Sequence, residues 1–224
     1  MGYRAEILAP GETYHIYNRG VNKADIFVDD NDRQRFLDLL IYYLPQGEPS
    51  SFSFAIRNLS KQERQDIIQN RRTNPGKGLV DLLGYCLMGN HIHLLLRENS
   101  EKGIATYLQR VFTGYAKYFN TRHERTGPLF SGRFRAVRVI GDEQFLHVTR
   151  YIHLNPFVAR MVKQVSDYKW SSLAEYVSDD GHYSYCHKEL LQGMMPAKEY
   201  RKFVNDHADY AREFDRIKHL DLDY

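Results

Sequence analysis

The chain is short of the features that mark secreted and membrane-spanning proteins. Its 224 residues include two cysteines, Cys86 and Cys186, which give neither a disulfide framework nor the spacing of a zinc site. No stretch approaches the roughly 20 consecutive apolar residues of a membrane span. The N-terminal residues also lack a signal-peptide pattern. We therefore expect a cytoplasmic protein in a reducing setting, with no membrane partner.

Acidic residues are scarce over one long span of the chain. Between Lys102 and Arg138 the only acid is Glu124, although the net charge of the whole chain is only +3. Basic side chains neutralise phosphates and aromatic faces stack on unpaired bases, and in this span the two kinds are interleaved. A solvated basic face over an aromatic core would explain some of these residues. The cluster as a whole favours a nucleic-acid surface, with candidate contacts at Arg110, Lys117, Tyr118, Arg122, Arg133, Arg135 and Arg138.

Two histidines stand two residues apart in the middle of the chain. His91 and His93 follow an apolar run over residues 82–88, which predicts a β-hairpin turning at Gly89-Asn90. Alternate residues of a strand point to the same face, so the two imidazoles would lie side by side. Such a pair makes half of a divalent-metal site. A hairpin edge whose histidines face solvent is the simpler alternative for this motif alone.

A short helix downstream offers a second polar pair. Asp142 is its predicted N-cap, and Pro156 is predicted to prevent continuation much beyond Asn155. Tyr151 and Asn155 lie one turn apart, so a hydroxyl and a carboxamide can address the same small site. Taken alone, this pair is better explained by a tyrosine covering the core edge and an asparagine ending the helix.

The remaining patterns predict alternating strands and helices. They are a strand over 13–17, a helix capped by 29–32 and running to about 43, a short strand over 52–56, a mobile insertion over 61–77, a hairpin of 79–88 and 91–97, a helix over 104–122, a strand over 134–140, and C-terminal helices over 172–177, 188–193 and 196–217. This βαββαβ-like series predicts an α+β fold with one antiparallel sheet and helices on one face.

In their order along the chain, these motifs resemble the single-tyrosine HUH transposases, and most closely their REP-associated branch. Besides the His-x-His motif, the resemblance rests on Tyr14-His15-Ile16-Tyr17-Asn18-Arg19-Gly20, Gly127-Pro128-Leu129-Phe130-Ser131-Gly132-Arg133-Phe134, residues 150–156 and Asp167-Tyr168-Lys169-Trp170-Ser171-Ser172. It runs from about residue 14 to residue 176. The mobile insertion-sequence enzymes usually carry Gln four residues after the tyrosine, whereas this chain has Asn155, as the REP-associated branch tends to.

The resemblance implies a ferredoxin-like core in which His91 and His93 lie on a central strand facing Tyr151. It implies a single-stranded DNA endonuclease and strand transferase, in which Tyr151 attacks a phosphodiester, forms a 5′-phosphotyrosine and releases a 3′-OH. His91 and His93 would bind Mg²⁺ or Mn²⁺, with Asn155 as the third ligand. His147 and His153 are candidates for proton transfer, although a surface or packing role is favoured for each.

The implied partner is single-stranded DNA with REP-like hairpins, and the resemblance suggests that the Tyr17-Asn18-Arg19 region, with Asn18 and Arg19 as the candidate contacts, contributes to its recognition. A non-cleaving regulator that binds hairpin DNA and an RNA-binding or RNA-processing protein remain alternatives. Tyr115 and Tyr118 compete as nucleophiles, but neither has the polar partner one turn later that Tyr151 has. We further expect a nuclease domain over 1–160, a helical extension over 161–224, association with a bacterial nucleoid, and a homodimer as one possible state.

Overall fold

The computed structural model of the chain describes residues 7–45, 47, 50–73, 78–178 and 185–212. Short 3-10 turns apart, its elements are, in chain order, β1 Thr13–Arg19, α1 Asp30–Tyr42, α2 Phe52–Ala55, α3 Lys61–Thr73, β2 Val80–Leu87, β3 His91–Glu98, α4 Gly103–Arg122, β4 Arg135–Val139, α5 Gly141–Val158, α6 Leu173–Val177, α7 Glu189–Met194 and α8 Ala197–Asn205. No helix in the described ranges is long and apolar enough to cross a membrane.

The central sheet has the strand order β2-β3-β1-β4, and every neighbouring pair is antiparallel. The predicted α+β class and ferredoxin-like core are therefore confirmed. On one face of the two central strands, Ile16 and Leu94 are fully buried, and α1 and α4 pack together over this side. The other face carries His93 and Leu95, and α5 adds a helical layer there. The expectation of helices on only one face is therefore wrong, because α5 folds back over the second face.

The predicted strands and long helices form close to the expected bounds because their sequence signals are local. The side chain of Asp29 accepts hydrogen bonds from the backbone N–H groups of Asn31 and Asp32, which caps α1 as predicted. The hairpin of β2 and β3 turns at Gly89 and Asn90, as the apolar runs on either side indicated.

Two predictions between α1 and β2 are wrong. Residues 52–56, predicted as a strand, begin with the helix α2, whose first turn is capped by the Ser51 hydroxyl accepting from Phe54 N–H. The segment predicted as a mobile insertion forms α3 instead, and residues 74–77 of it lie outside the described ranges. Gln62 and Asp66 pair one turn apart on α3, and Ile68 is buried where α3 packs on α1. Tertiary packing thus stabilises a helix whose composition alone indicates a loop.

Both predicted ends of α5 are also wrong. The helix begins at Gly141 rather than after Asp142, and the side chain of Gln144 accepts from the backbone N–H of Ile140. At the other end the helix runs through Pro156 to Val158. The guanidinium of Arg212 stacks over Phe157 and donates to its carbonyl at 2.9 Å, so packing holds a turn that the proline disfavours. Tyr151 and Asn155 consequently both lie within regular helix.

The C-terminal part of the chain packs on the outer edge of β2. The backbone N–H of Leu87 donates to Trp170 O, and that of Ser172 donates to Tyr85 O. The Tyr176 hydroxyl donates to the carbonyl of Leu83. These bonds cover an edge strand that would otherwise expose unpaired backbone groups. A division of the chain at residue 160 stays a prediction, but Trp170, Ser172 and Tyr176, which lie after it, are hydrogen-bonded to strand β2.

The predicted C-terminal helices are found with shorter bounds. The helices α6 and α7 form within a residue of the expected limits. The long helix expected over 196–217 is wrong in its length, because α8 ends at Asn205 with Asp206 as its C-cap. The last residues of that expected helix, 213–217, lie outside the described part of the chain.

Candidate active site

One cavity of 610 Å³ brings together residues from β1, β3, α5 and the segment before β4. Its walls include all four residues expected to perform chemistry, namely His91, His93, Tyr151 and Asn155. These residues are up to 64 positions apart in sequence (91 to 155), so their meeting depends on the fold. The remaining lining residues are Tyr17, Asn18, Arg19, Lys23, Asn90, Ser131, Arg133 and Arg135.

His91 is held by its neighbour in the hairpin turn. Its Nδ1 lies 2.7 Å from Oδ1 of Asn90, whose amide nitrogen donates to the carbonyl of Lys23 at 3.1 Å. Because a carbonyl can only accept, the nitrogen of the Asn90 amide is fixed, and its oxygen faces His91. His91 therefore carries its proton on Nδ1 and keeps the lone pair of Nε2 for another partner. Burial lowers the pKa of His91, which favours this neutral form.

His93 is nearly buried beside His91, with ring centroids 5.0 Å apart and planes at 88°. On its other side, Nδ1 of His93 lies 2.9 Å from Nε2 of His15, and the two rings are stacked. Burial lowers the pKa of His93 well below its usual value, and burial lowers the pKa of His15 to about 4. Neutral imidazoles can bind a cation without first losing a proton.

Tyr151 stands edge-on to this histidine pair. Its ring centroid lies 5.5 Å from that of His93 and 5.8 Å from that of His15. The side chain is 52% exposed, so a substrate can reach its hydroxyl. One turn later, the amide nitrogen of Asn155 donates to the Tyr151 carbonyl at 2.8 Å. That bond fixes the nitrogen, and the oxygen of the Asn155 amide is left to accept or to ligate.

Two of the motifs that are distant in sequence meet at the rim of the cavity. Gly20 forms a β-bridge with Phe130, and the N–H of Ser131 donates to the Arg19 carbonyl at 2.8 Å. Gly20 is required here because a Cβ at this position would lie 2.0 Å from the carbonyl oxygen of Ala24. Asn18 is 5% exposed, and its amide donates to Gly132 O at 3.4 Å. Asn18 lines the cavity, where it was expected to contact DNA, and its amide also connects the two segments of the rim.

The rim is positively charged. Arg19, Lys23, Arg133 and Arg135 are exposed and line the cavity, whereas no acidic residue of the described ranges lines it. None of these four cations forms an ion pair within the described ranges, so their charge is available to a ligand. Such a surface attracts phosphates.

Other members of the predicted basic cluster lie outside the cavity. Arg122 pairs with Asp29 at 2.6 Å and Asp32 at 2.5 Å, and it joins α4 to the start of α1. Arg138 pairs with Glu12 at 2.5 Å and faces the opposite side of β4 from Arg135. The remaining members of the predicted set are likewise absent from the cavity wall: Arg110 donates to Gly47 O, Lys117 is exposed on α4, and Tyr118 lies under the guanidinium of Arg35.

The two spare histidines of α5 do not reach the cavity. His153 is fully buried between the Tyr200 hydroxyl and the Ser172 hydroxyl, each 2.8 Å away, and burial lowers its pKa to about 3. His147 lies on the surface, where Nδ1 is 2.8 Å from an amino group of Arg150. The favoured surface and packing roles of these histidines agree with this placement.

The competing tyrosines are likewise placed elsewhere. Tyr115 is fully buried and donates to the carbonyl of Ile26, and burial raises its pKa well above the usual range. Tyr118 is half-buried against Arg35, and burial raises its pKa as well. Tyr151 and Tyr17 are exposed tyrosines that line the cavity, and of these two Tyr151 has Asn155 one turn later on the same helix.

The sequence did not identify four residues at the site: His15, Lys23, Asn90 and Ser131. The alternation of β1 contained a signal for His15, since His15, Tyr17 and Arg19 share one face of a strand. The register that puts this face beside His91 and His93 comes from pairing with β3, and no local pattern indicates it. Lys23 and Asn90 meet only through the hydrogen bond between the two turns.

Comparison with known proteins gives a family and a solved structure. The model of the family described as "Transposase IS200 like" matches residues 54–155. A solved structure of a REP-associated tyrosine transposase bound to a REP hairpin shares 16% sequence identity with the chain. The alignment covers 79% of this chain and 86% of that one, with a TM-score of 0.47. No curated protein matches the chain.

Proposed function

Because the family model described as "Transposase IS200 like" matches residues 54–155, we propose that the chain belongs to this family of DNA-processing proteins and that it cleaves and rejoins single-stranded DNA next to hairpins. In this proposal it is a metal-dependent endonuclease and strand transferase, and its partner is REP-like hairpin DNA. The observation that carries the proposal is the meeting of His91, His93, Tyr151 and Asn155 in one cationic cavity.

Tyr151 is the proposed nucleophile. Its hydroxyl oxygen attacks a phosphorus atom of the DNA backbone, the bond from phosphorus to the 3′ oxygen breaks, and that oxygen leaves as a 3′-OH after taking up a proton. The product is a 5′-phosphotyrosine, and attack by another 3′-OH reverses the step and rejoins the strands. The ring of Tyr151 is fixed by its edge contacts with His93 and His15, so the hydroxyl is held over one position of the cavity.

The donor set at the cavity fits a divalent cation. The Nδ1 of His91 is engaged by Asn90 and that of His93 by His15, so Nε2 is the ring atom of each histidine that would ligate, and Asn155 offers an amide oxygen. These three donors are the proposed ligands; in the described ranges no group of three or more His, Cys, Asp or Glu side chains could hold a metal. Imidazole suits transition metals and amide oxygen suits harder cations, and Mn²⁺ or Mg²⁺ is the expected ion. When bound, the cation would supply charge neutralisation at the scissile phosphate.

The first test separates this function from its alternatives. We expect cleavage of a labelled DNA hairpin with a single-stranded flank in the presence of Mn²⁺ or Mg²⁺, and no cleavage in EDTA. Hairpin binding without cleavage under every metal condition would instead support a non-cleaving regulator. Preferential binding or cleavage of the matching RNA hairpin would support an RNA-processing protein.

A salt series locates the DNA path. Replacing Arg133 and Arg135 with alanine removes two exposed cations from the cavity rim, so the log–log salt slope of binding should become shallower by about 1.4, at roughly 0.7 for each contact to a single strand. The matched control is Arg138→Ala on the same strand, since Arg138 pairs with Glu12 on the opposite face. An unchanged slope in the double variant, or an equal change in the control, would place the DNA on another surface.

A further inference from the structure

His15 contacts the candidate metal ligand His93 from the neighbouring strand. The two residues lie on adjacent strands, where Tyr17 is directly opposite His93 and His15 is opposite Leu95. His15 is thus the diagonal neighbour of His93 on the same face of the sheet. The rings stack with centroids 5.1 Å apart and an angle of 20°, and the facing nitrogens are 2.9 Å apart.

The direction of the hydrogen bond in this contact determines which ring nitrogen of His93 keeps a lone pair for a cation. Two ring nitrogens at hydrogen-bond distance share one proton, so one ring donates and the other accepts. If His93 donates from Nδ1, its Nε2 keeps a lone pair that points away from His15. If His15 donates instead, Nε2 of His93 carries the proton and cannot bind a cation. Metal-ligating histidines generally give the proton of their second nitrogen to a neighbouring acceptor.

His91 shows the same arrangement with an unambiguous acceptor. Its Nδ1 faces Oδ1 of Asn90, and the orientation of the Asn90 amide is fixed by the carbonyl of Lys23. With Asn90 behind one ring and His15 behind the other, the two histidines would present equivalent Nε2 lone pairs. His93 depends on its hydrogen bond with His15 because His93 is nearly buried, so that water has little access to replace His15 as a partner.

We propose that His15 is a positioning residue that accepts the Nδ1 proton of His93 and thereby holds His93 in its metal-ligating tautomer. This role rests on the proposed function, because it presumes that His93 binds the cation. The proposed nucleophile and ligands do not explain the motif that begins at Tyr14-His15, and this role gives His15 of that motif a function.

The test begins with the metal-free protein labelled with ¹⁵N in its histidines. The NMR shifts of the His93 ring should identify Nδ1 as protonated and Nε2 as unprotonated. In His15→Phe, which keeps an aromatic ring but has no acceptor, this tautomer should no longer dominate. In His15→Glu, whose carboxylate can accept, it should be restored. A structural role for the ring alone would be rescued by Phe rather than by Glu.

Binding of Mn²⁺ alone, followed by electron paramagnetic resonance, gives the second measurement. His15→Phe should weaken the affinity by about 10-fold or more, and His15→Glu should recover most of that loss. His147→Phe is the matched control, because His147 lies on the outer surface of α5, and its affinity should equal that of the wild type.

The outcomes separate this inference from the function on which it rests. Protonated Nε2 on His93 in the wild type, or equal tautomer populations and Mn²⁺ affinities in His15→Phe and the wild type, would overturn the role of His15 alone. Wild-type protein that fails to bind Mn²⁺ would overturn the metal site of the proposed function, and the role of His15 with it.

Discussion

Tyr151→Phe is expected to abolish cleavage of a DNA hairpin substrate while leaving its binding nearly intact. The substitution removes only the hydroxyl oxygen, so the ring keeps its edge contacts with His93 and His15. Loss of a covalent nucleophile should lower the cleavage rate on the order of 10³-fold or more. Rates under single-turnover conditions and binding by fluorescence anisotropy measure the two effects separately.

The matched control for this substitution is Tyr210→Phe. Tyr210 is 62% exposed, comparable with Tyr151, and it lies beside His207 rather than in the cavity. Its variant should cleave at the wild-type rate. Wild-type cleavage by Tyr151→Phe would refute the assignment of the nucleophile, and parallel loss in both variants would point to a general loss of structure.

His91→Ala and His93→Ala are each expected to eliminate both Mn²⁺ binding and cleavage. Each change removes one of two imidazoles whose Nε2 atoms are the proposed ligands, and EDTA should reproduce the loss in the wild type. The loss of cleavage should again be on the order of 10³-fold, because charge neutralisation at the phosphate is lost together with its orientation. Calorimetry with Mn²⁺ and a cleavage assay over a metal series measure the effect.

Stability must be followed alongside activity in these variants. His91 is only partly buried, so its alanine variant should unfold near the wild-type temperature, whereas His93→Ala opens a small gap beside His15. His147→Ala controls for loss of a histidine on the surface of α5. Cleavage by either variant at the wild-type rate without added metal would contradict the metal site.

The sequence indicated which candidate residues lie together better than it indicated the contacts that support them. His91, His93, Tyr151 and Asn155 could be named because two short-range spacings, one of a strand and one of a helix, put each pair on a common face. The resemblance that they supported agrees with the family model over residues 54–155. The cavity brings the two pairs together, which no local pattern could predict.

The failures have a common physical origin in tertiary contacts. Pro156 was expected to end α5, but the helix continues to Val158, and the contact of Arg212 with Phe157 stabilises this last part. The segment forming α3 has a loop-like composition, yet burial of Ile68 against α1 holds it as a helix. The contact of His15 with His93 could not be predicted from local sequence, because the two residues are 78 positions apart and the strand register that joins them depends on the whole sheet.

Charge gave the same lesson for the predicted DNA surface. The basic residues between Lys102 and Arg138 are close in sequence, but the fold places some of them at the cavity and others in ion pairs away from it. Arg133 and Arg135 reach the cavity, while Arg122 and Arg138 are paired with acids from α1 and the start of β1. The acidic residues that pair with these arginines lie about 90 or more residues earlier in the chain. A span with few acidic residues can therefore still contain arginines that form ion pairs.

Trapping of a covalent protein–DNA adduct tests the central claim most directly. Wild-type protein is incubated with Mn²⁺ and a hairpin oligonucleotide, the mixture is denatured and digested, and the modified peptide is sequenced by mass spectrometry. The account predicts a single adduct in which the hydroxyl of Tyr151 carries the 5′-phosphate of the DNA, absent in EDTA. Cleavage without any covalent adduct, or an adduct on Tyr115 or Tyr118, would contradict it.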